Sequence, residues 1–286
     1  MTANENKFSN FNPSVYLRII LHNMRKIASL FIVSTFICAI HAQDSINIKQ
    51  AESNVKVLPV LWHQHAAEYR ALCYQAFNIA TLRLEAAFKI KSSKKRAIIT
   101  DLDETILDNS YSEAKLIKEG KSYTPASWKD WTNSSAATAV PGSVAFLQLA
   151  KQKGVTVFYI SNRDTSDIQS TLLNLQRLQL PDADPSHMMF RTNTSSKEIR
   201  RQNVMAQYNV IMLLGDNLGD FTAIFDGKST AERKTETDNA QKEWGKKFIV
   251  LPNSIYGEWE NALYDYNRSL TPQQKDVKRK QQLIGY

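Results

Sequence analysis

Four short stretches of this chain hold side chains able to do chemistry, and three of them directly follow an apolar run. The first is Asp101-Leu102-Asp103-Glu104-Thr105, after Ala97-Ile98-Ile99-Thr100. Two carboxylates two residues apart on extended backbone project to one side, unless the chain turns between them. Alone, that pattern usually marks a turn or a salt-bridged surface; directly behind a buried strand it becomes a candidate site. The second stretch, Ser161-Asn162-Arg163-Asp164, offers a hydroxyl, an amide and a guanidinium, a set that can cradle an oxyanion. The third is Ser195-Ser196-Lys197-Glu198 at a helix start. Most lysines so placed are solvated, and only the company of the other stretches gives this one interest. The fourth, Gly215-Asp216-Asn217-Leu218-Gly219-Asp220, reads either as an Asx-rich turn or as oxygen ligands for a hard cation.

The elements that must position these groups are legible as short continuous apolar runs. They are Ala97–Thr100, Val155–Ile160, His187–Phe190, Val210–Leu214 and Lys247–Leu251. Such runs suit strands covered on both faces, as in a parallel sheet. Helical patterns lie between them: one introduced by Pro141-Gly142, one opened by Ser166-Asp167 and stopped by Pro181, and one from Thr194 to about Tyr208. The alternation predicts an α/β fold with a doubly wound parallel sheet, whose ligands bind at the carboxyl ends of the strands. Upstream, Trp62, Tyr69, Cys73, Phe77, Ala80, Leu84 and Phe88 recur at helical spacing and predict one long helix from Pro59 to about Ile90. His63 and His65 are two apart, so they face different ways and read as packing or surface residues rather than a metal pair. Residues 108–140 are long for a connection and rich in aromatics, so a small structured helical insertion is expected there. The polar, Lys-rich tail from Pro272 reads as a surface helix or a fraying end.

The chain has 286 residues, 43% of them hydrophobic and 22% charged, which is a globular composition and excludes a disordered chain. Two cysteines exclude a disulfide scaffold, and the body holds no apolar run long enough for a polytopic membrane protein. Met24-Arg25-Lys26, the apolar Ile27–Ile40 and the triplet Ile40-His41-Ala42 have the layout of a secretory signal peptide over residues 24–42. Residues 1–23 then stand as a mispredicted start or an extension. Export to the periplasm or medium is expected, with no membrane span after processing. A lipid anchor at Cys38, which would tie the protein to the outer membrane, fits poorly because Phe36-Ile37 are bulky. Removing residues 1–42 takes away four basic residues and one acidic one, so the formal charge falls from +8 to +5. Cys73, then the sole cysteine, is expected to be buried. No basic stripe with interleaved aromatics appears, so a nucleic-acid partner is not expected.

Together the four stretches supply the motif set of the haloacid dehalogenase superfamily, in order and at its usual strand ends. Within it the chain resembles the bacterial class C acid phosphatases, including the lipoprotein-type 5′-nucleotidases. The stretches that carry the likeness are Ile99–Ser110, Gly215–Phe221 and Phe248–Trp259, within a span of roughly Pro59 to Tyr264. The resemblance implies a single catalytic domain over 43–286: a helical region 59–95, a core 96–260 and a tail 261–286. It implies Mg²⁺ held by the Asp101 carboxylate, the Asp103 backbone carbonyl and Asp216, with Asp220 orienting metal waters or joining the ligands. Asp101 would be the nucleophile that forms an aspartyl-phosphate. Asp103 would be the acid for the leaving group and later the base for water, which separates a phosphatase from a dehalogenase. Ser161, the Asn162 backbone and Lys197 would stabilise the transferring phosphoryl group, and Arg163 would help bind substrate. Trp128 and Tyr256 match an aromatic pair that sandwiches a base, so 5′-nucleoside monophosphates, nicotinamide mononucleotide among them, are expected substrates. The alternative for Trp128 and Trp131 is that they form the insertion's own core. Two other readings keep the fold: a broad phosphatase or phosphotransferase with no nucleotide preference, and a non-catalytic surface protein binding haem, nucleotide or a host ligand. The presence of Asp101, Asp103, Lys197 and Asp216 together weighs against the second. A homodimer is compatible with all of them.

Overall fold

The computed structural model describes residues 55–286 together with Arg18 and Met24. The expected signal segment (Met24 apart), the residues before it (Arg18 apart) and Cys38 lie outside the described residues. The chain divides into two units, Met1–Ile48 and Lys49–Tyr286, and the second carries every element that follows.

Helices α1 (Val57–His65) and α2 (Ala67–Phe88) lead into strand β1 (Arg96–Thr100). An insertion follows, made of β2 (Leu107–Asp108), α3 (Ser110–Lys118), α4 (Pro125–Asn133) and β3 (Thr138–Ala139), with β2 and β3 paired antiparallel. Then come α5 (Ser143–Gln152), β4 (Thr156–Asp164), α6 (Ile168–Arg177), β5 (Met188–Arg191), α7 (Glu198–Gln207) and β6 (Asn209–Gly215). The chain closes with α8 (Thr230–Asn239), β7 (Phe248–Val250), α9 (Glu258–Leu263) and α10 (Pro272–Gln281). The main sheet runs β5-β4-β1-β6-β7, with every pairing parallel. The chain winds outward from β1 in both directions, so a crevice opens at the carboxyl ends of β1, β4 and β6, the switch point of an open α/β sheet. This is the doubly wound α/β fold expected from the apolar runs.

Alternate residues of the central strands feed two cores. Ile98, Val157, Tyr159, Met212 and Leu214 point to the side of α2, α5 and α6, against Cys73, Phe77, Leu84, Phe146, Leu147 and Leu175. Ala97, Ile99, Phe158, Ile160 and Leu213 point the other way, onto Val204 of α7 and Phe221. Covering both faces removes the need for polar alternation, which is why the strands read as unbroken apolar runs. Cys73 is free and wholly buried.

Two local expectations are corrected. The single helix from Pro59 to Ile90 is broken at Ala66, whose backbone is extended (φ −73°, ψ 124°). Neither Gly nor Pro marks the break, because its cause is tertiary. α1 is tied to α3 by Lys56–Glu113 at 2.9 Å and Gln64–Ser110 at 3.2 Å, whereas α2 lies on the sheet. Strand β4 does not stop at Ile160 but runs on to Asp164, which pairs with Arg191 after an irregularity in register. Ser161, Asn162 and Arg163 therefore sit on the strand itself, at a bulge that re-aims their side chains. The tail is a helix with a capping box: Thr271 accepts from the Gln274 N–H, with Pro272 at the first position.

Candidate active site

After β1 the backbone turns between the two aspartates. Asp101 still extends the ladder, its N–H donating to the Leu214 carbonyl at 3.0 Å. The Leu102 carbonyl then accepts from the N–H groups of Thr105, Ile106 and Leu107, closing a tight turn over a fully buried Leu102 side chain. Glu104 takes a left-handed backbone conformation in that turn, φ 57°, which costs a non-glycine residue energy and is held here by its surroundings. Asp101 and Asp103 consequently enter different environments instead of lining up on one side.

Asp101 lies in a buried cluster with Lys197, Asp216 and Asp220. Lys197 forms ion pairs with Asp101 and, at 2.6 Å, with Asp220, and both contacts are closed to solvent. Burial works against the Lys197 charge, but the two carboxylates outweigh it and hold its pKa above the ordinary lysine value. Burial pushes the Asp101 carboxyl well above the usual range; Lys197 opposes this, while Asp220, Asp216 and Asp103 add to it. Asp216 is pushed up to about 7, by burial first and by Asp220 second. It accepts from Thr105 Oγ1 at 3.1 Å and from Asn253 Nδ2 at 2.8 Å. Gly215 is required by close approach: a Cβ there would sit inside the Asp220 side chain.

Oxygens of Asp101, Asp216 and Asp220 lie within 4.8 Å of one another. Three carboxylates against one ammonium leave two negative charges in a buried space, and all the free donors are oxygen. That is the donor set and the charge a hard divalent cation needs, so the residues present fit one.

Asp103 sits among different partners. Arg163 grips it through Nη2 at 2.7 Å and Nε at 3.1 Å to Oδ1, with Nε also 3.2 Å from Oδ2. Asn109 Nδ2 donates to Oδ1 at 2.9 Å and Ser161 Oγ to Oδ2 at 3.4 Å. The Arg163 guanidinium is buried; it also donates to Thr171 Oγ1 and lies over the Trp128 ring at 5.5 Å. Glu104, buried beside this group, is held well above the carboxylate range by burial and by Asp103 and Asp216.

The expected residues thus fall into two linked groups: Asp101, Lys197, Asp216 and Asp220 in one, Asp103, Ser161, Arg163 and Trp128 in the other. Asn162 is exposed, donating through its side chain to the Ser195 carbonyl at 2.8 Å and accepting from Arg200 at 2.6 Å. Tyr256 is half-buried, with the Lys56 ammonium 5.9 Å from its ring centroid, and no ring contact joins it to Trp128. Trp131, by contrast, packs against the main core and donates to Asn109 Oδ1 at 2.8 Å.

Several residues at the site were not singled out by sequence. Asn253 follows the β7 run as the aspartates follow β1 and β6, so the same strand-end rule would have found it. Arg200, three residues after Lys197, clamps the Ser161 carbonyl at 2.7 Å; its helical spacing from Lys197 was the available signal. His63 gave none. It is buried, stacks on Tyr69 at 4.3 Å and accepts the Ser254 N–H on Nε2 at 3.2 Å, next to Asn253.

Comparison with known proteins decides what this constellation belongs to. The family described as HAD superfamily, subfamily IIIB (acid phosphatase), matches residues 20–259. The class C acid phosphatase of Bacillus anthracis is 42% identical, with a TM-score of 0.80 over 82% of this chain and 99% of that one. A second structure of that protein, with tungstate bound, gives the same identity and TM-score over 82% and 98%. The chain belongs to the HAD subfamily IIIB acid phosphatases. As a member it is a phosphoric monoester hydrolase, and its doubly wound sheet is the HAD-like fold. Among the described residues no helix is long and apolar enough to cross a membrane.

Burial lowers the pKa of His63 from 6.5 to about 4, which gives this acid phosphatase a stability contribution that depends on pH. A base with a depressed folded value contributes stability that is fully present above 6.5 and is lost as pH falls through about 4. Protonation also turns Nε2 into a donor and breaks its bond from Ser254. His63→Gln keeps an acceptor and cannot charge. Its melting temperature is expected to fall less than that of the wild type between pH 6.5 and 4. Parallel curves would show that His63 does not titrate there.

Proposed function

We propose that the chain is a magnesium-dependent phosphomonoesterase working through an aspartyl-phosphate on Asp101, with 5′-nucleoside monophosphates, nicotinamide mononucleotide included, among its substrates. The observation that carries this is the separation of the two aspartates: Asp101 on the Lys197 ammonium and the acidic cluster, Asp103 on the Arg163 guanidinium. Two carboxyl groups in different environments can take different roles in one reaction. That a relative was solved with tungstate bound, a tetrahedral oxyanion like phosphate, supports an oxyanion-binding role for this family.

Asp101, Asp216 and Asp220, with the Asp103 carbonyl, would hold the Mg²⁺. Bound there, the cation neutralises charge on the phosphoryl oxygens. Asp101 attacks phosphorus, and Lys197, Ser161 and the Asn162 N–H stabilise the equatorial oxygens as charge spreads over them. Asp103 gives its proton to the leaving alkoxide oxygen as the P–O bond breaks, then takes one from the water that hydrolyses the aspartyl-phosphate. Arg163 sets the direction of the Asp103 carboxyl. We read the protein as exported, to the periplasm or the medium.

Substrate choice is assigned to Trp128 of α4 and Tyr256 of the loop after β7. Each base stack is worth about 1–3 kcal/mol, so Trp128→Ala and Tyr256→Ala are each expected to cost about tenfold or more in kcat/KM on a nucleotide. On p-nitrophenyl phosphate the cost should be small. Equal losses on both substrates would sink the sandwich and leave a phosphatase without nucleotide preference. A panel of phosphate esters with and without chelator completes the test; activity unchanged by chelator would reject the metal.

A further inference from the structure

Helix α4 reaches Asp103 by two routes. Trp128 and Trp131 are three residues apart and share a face of the helix. Trp128 lies against the Arg163 guanidinium, which grips both Asp103 oxygens. Trp131 donates its Nε1–H to Asn109 Oδ1, and Asn109 donates Nδ2–H to Asp103 Oδ1. The helix is itself braced: Lys129 and Thr132 both donate to the buried carboxylate of Asp167, at 2.5 and 3.0 Å.

The second route has a chemical direction. An indole N–H can only donate, so the Asn109 atom facing it must be the carbonyl oxygen. That leaves the amide nitrogen facing Asp103, with Glu104 Oε2 also 3.4 Å from it. The Asn109 backbone N–H is occupied by Glu104 Oε1 at 3.0 Å, which fixes the residue at its root. Without the indole donor the amide oxygen loses its anchor, so the Asn109 side chain can swing and the Nδ2–H that it donates to Asp103 no longer has a fixed direction.

We infer that Asn109 and Trp131 are positioning residues for Asp103: the insertion that carries the substrate-facing Trp128 also sets the direction of the proton donor. This rests on Asp103 being the acid of the proposed reaction. Trp131 therefore does more than fill the core of the insertion.

A displaced acid matters in proportion to the need of the leaving group for a proton. p-Nitrophenolate leaves unaided, whereas an alkoxide does not. Aryl and alkyl phosphates without a nucleobase keep base stacking out of the comparison. With Trp131→Phe, which keeps a ring in the core, kcat/KM for glycerol phosphate is expected to fall by about tenfold to a hundredfold. For p-nitrophenyl phosphate it should change by less than about threefold, and a burst of nitrophenol should appear because Asp103 also activates the second step. Asn109→Ser, a smaller change away from the core ring, is expected to give the same split. Asp103→Asn is the control on the parent reading. If Asp103→Asn fails to discriminate between leaving groups, Asp103 is not the acid. If it discriminates and the other two variants do not, or if they slow both esters equally, the positioning role is overturned.

Discussion

Asp101→Asn is expected to abolish phosphate release from every monoester, with a loss on the order of 10⁵-fold or more, the scale seen when a covalent nucleophile is removed. An amide oxygen can still accept from Lys197, so the fold has no reason to collapse. The charge balance points the other way. Asp101 is buried among Asp103, Asp216 and Asp220, and burial together with those neighbours already disfavours its ionised form. Replacing it with a neutral isostere removes one negative charge from an over-negative cluster, so the melting temperature of the cation-free variant should equal or exceed that of the wild type. Inactivity with undiminished stability is a combination that misfolding cannot produce. Acid quenching of a reaction with labelled substrate should leave label on the wild type and none on the variant. Magnesium-dependent phosphate release by Asp101→Asn would reject the covalent mechanism outright.

How far the site could be read beforehand depended on whether a residue's role is local or relational. The strands behind Asp101, Ser161 and Asp216 were legible because burial on both faces leaves an unbroken apolar run, and polar residues directly after such a run stand out. The break at Ala66 was not legible, since the residue is an ordinary helix former and the break exists only because α1 and α2 have different partners. Nor was the divergence of Asp101 and Asp103. It is made by three N–H groups converging on the Leu102 carbonyl and by charges from residues 60 or more positions away in sequence. Arg163 shows the same limit. By type and place it reads as a substrate-binding residue, and its contacts with Asp103 and Thr171 are visible only in the folded chain. Asn109 lay inside a stretch that carried the family likeness and still had no visible role, because its partners come from the turn after β1 and from α4 of the insertion.

The removal of Lys197 should damage stability and activity together, and the loss of stability should grow with pH. Lys197 is the ammonium that touches both Asp101 and Asp220 in a site closed to solvent. Taking away one partner of a buried ion pair typically costs about 3–5 kcal/mol, because the charges left behind have lost their solvent and their counter-ion alike. Lys197→Met fills the same space without the charge, so the cost is electrostatic rather than a cavity. Activity should fall by about 10²–10³-fold, the usual loss for one preorganised group that stabilises developing charge. The sign of the pH effect follows from the carboxyl groups. The folded pKa values of Asp101 and Asp216 lie above the ordinary value of 3.8, that of Asp216 at about 7. Groups raised in this way contribute stability that is fully present below 3.8 and is lost as pH rises through the folded value. Without the ammonium those values rise further. In chelator, the gap in melting temperature between wild type and Lys197→Met should therefore widen from pH 5 to pH 7.5, while a divalent cation should narrow it by supplying the missing positive charge. A gap that stays constant across that range would mean that the three carboxylates do not depend on Lys197 for their charge balance. The central ion pair of the proposed site would then be incidental to both its stability and its chemistry.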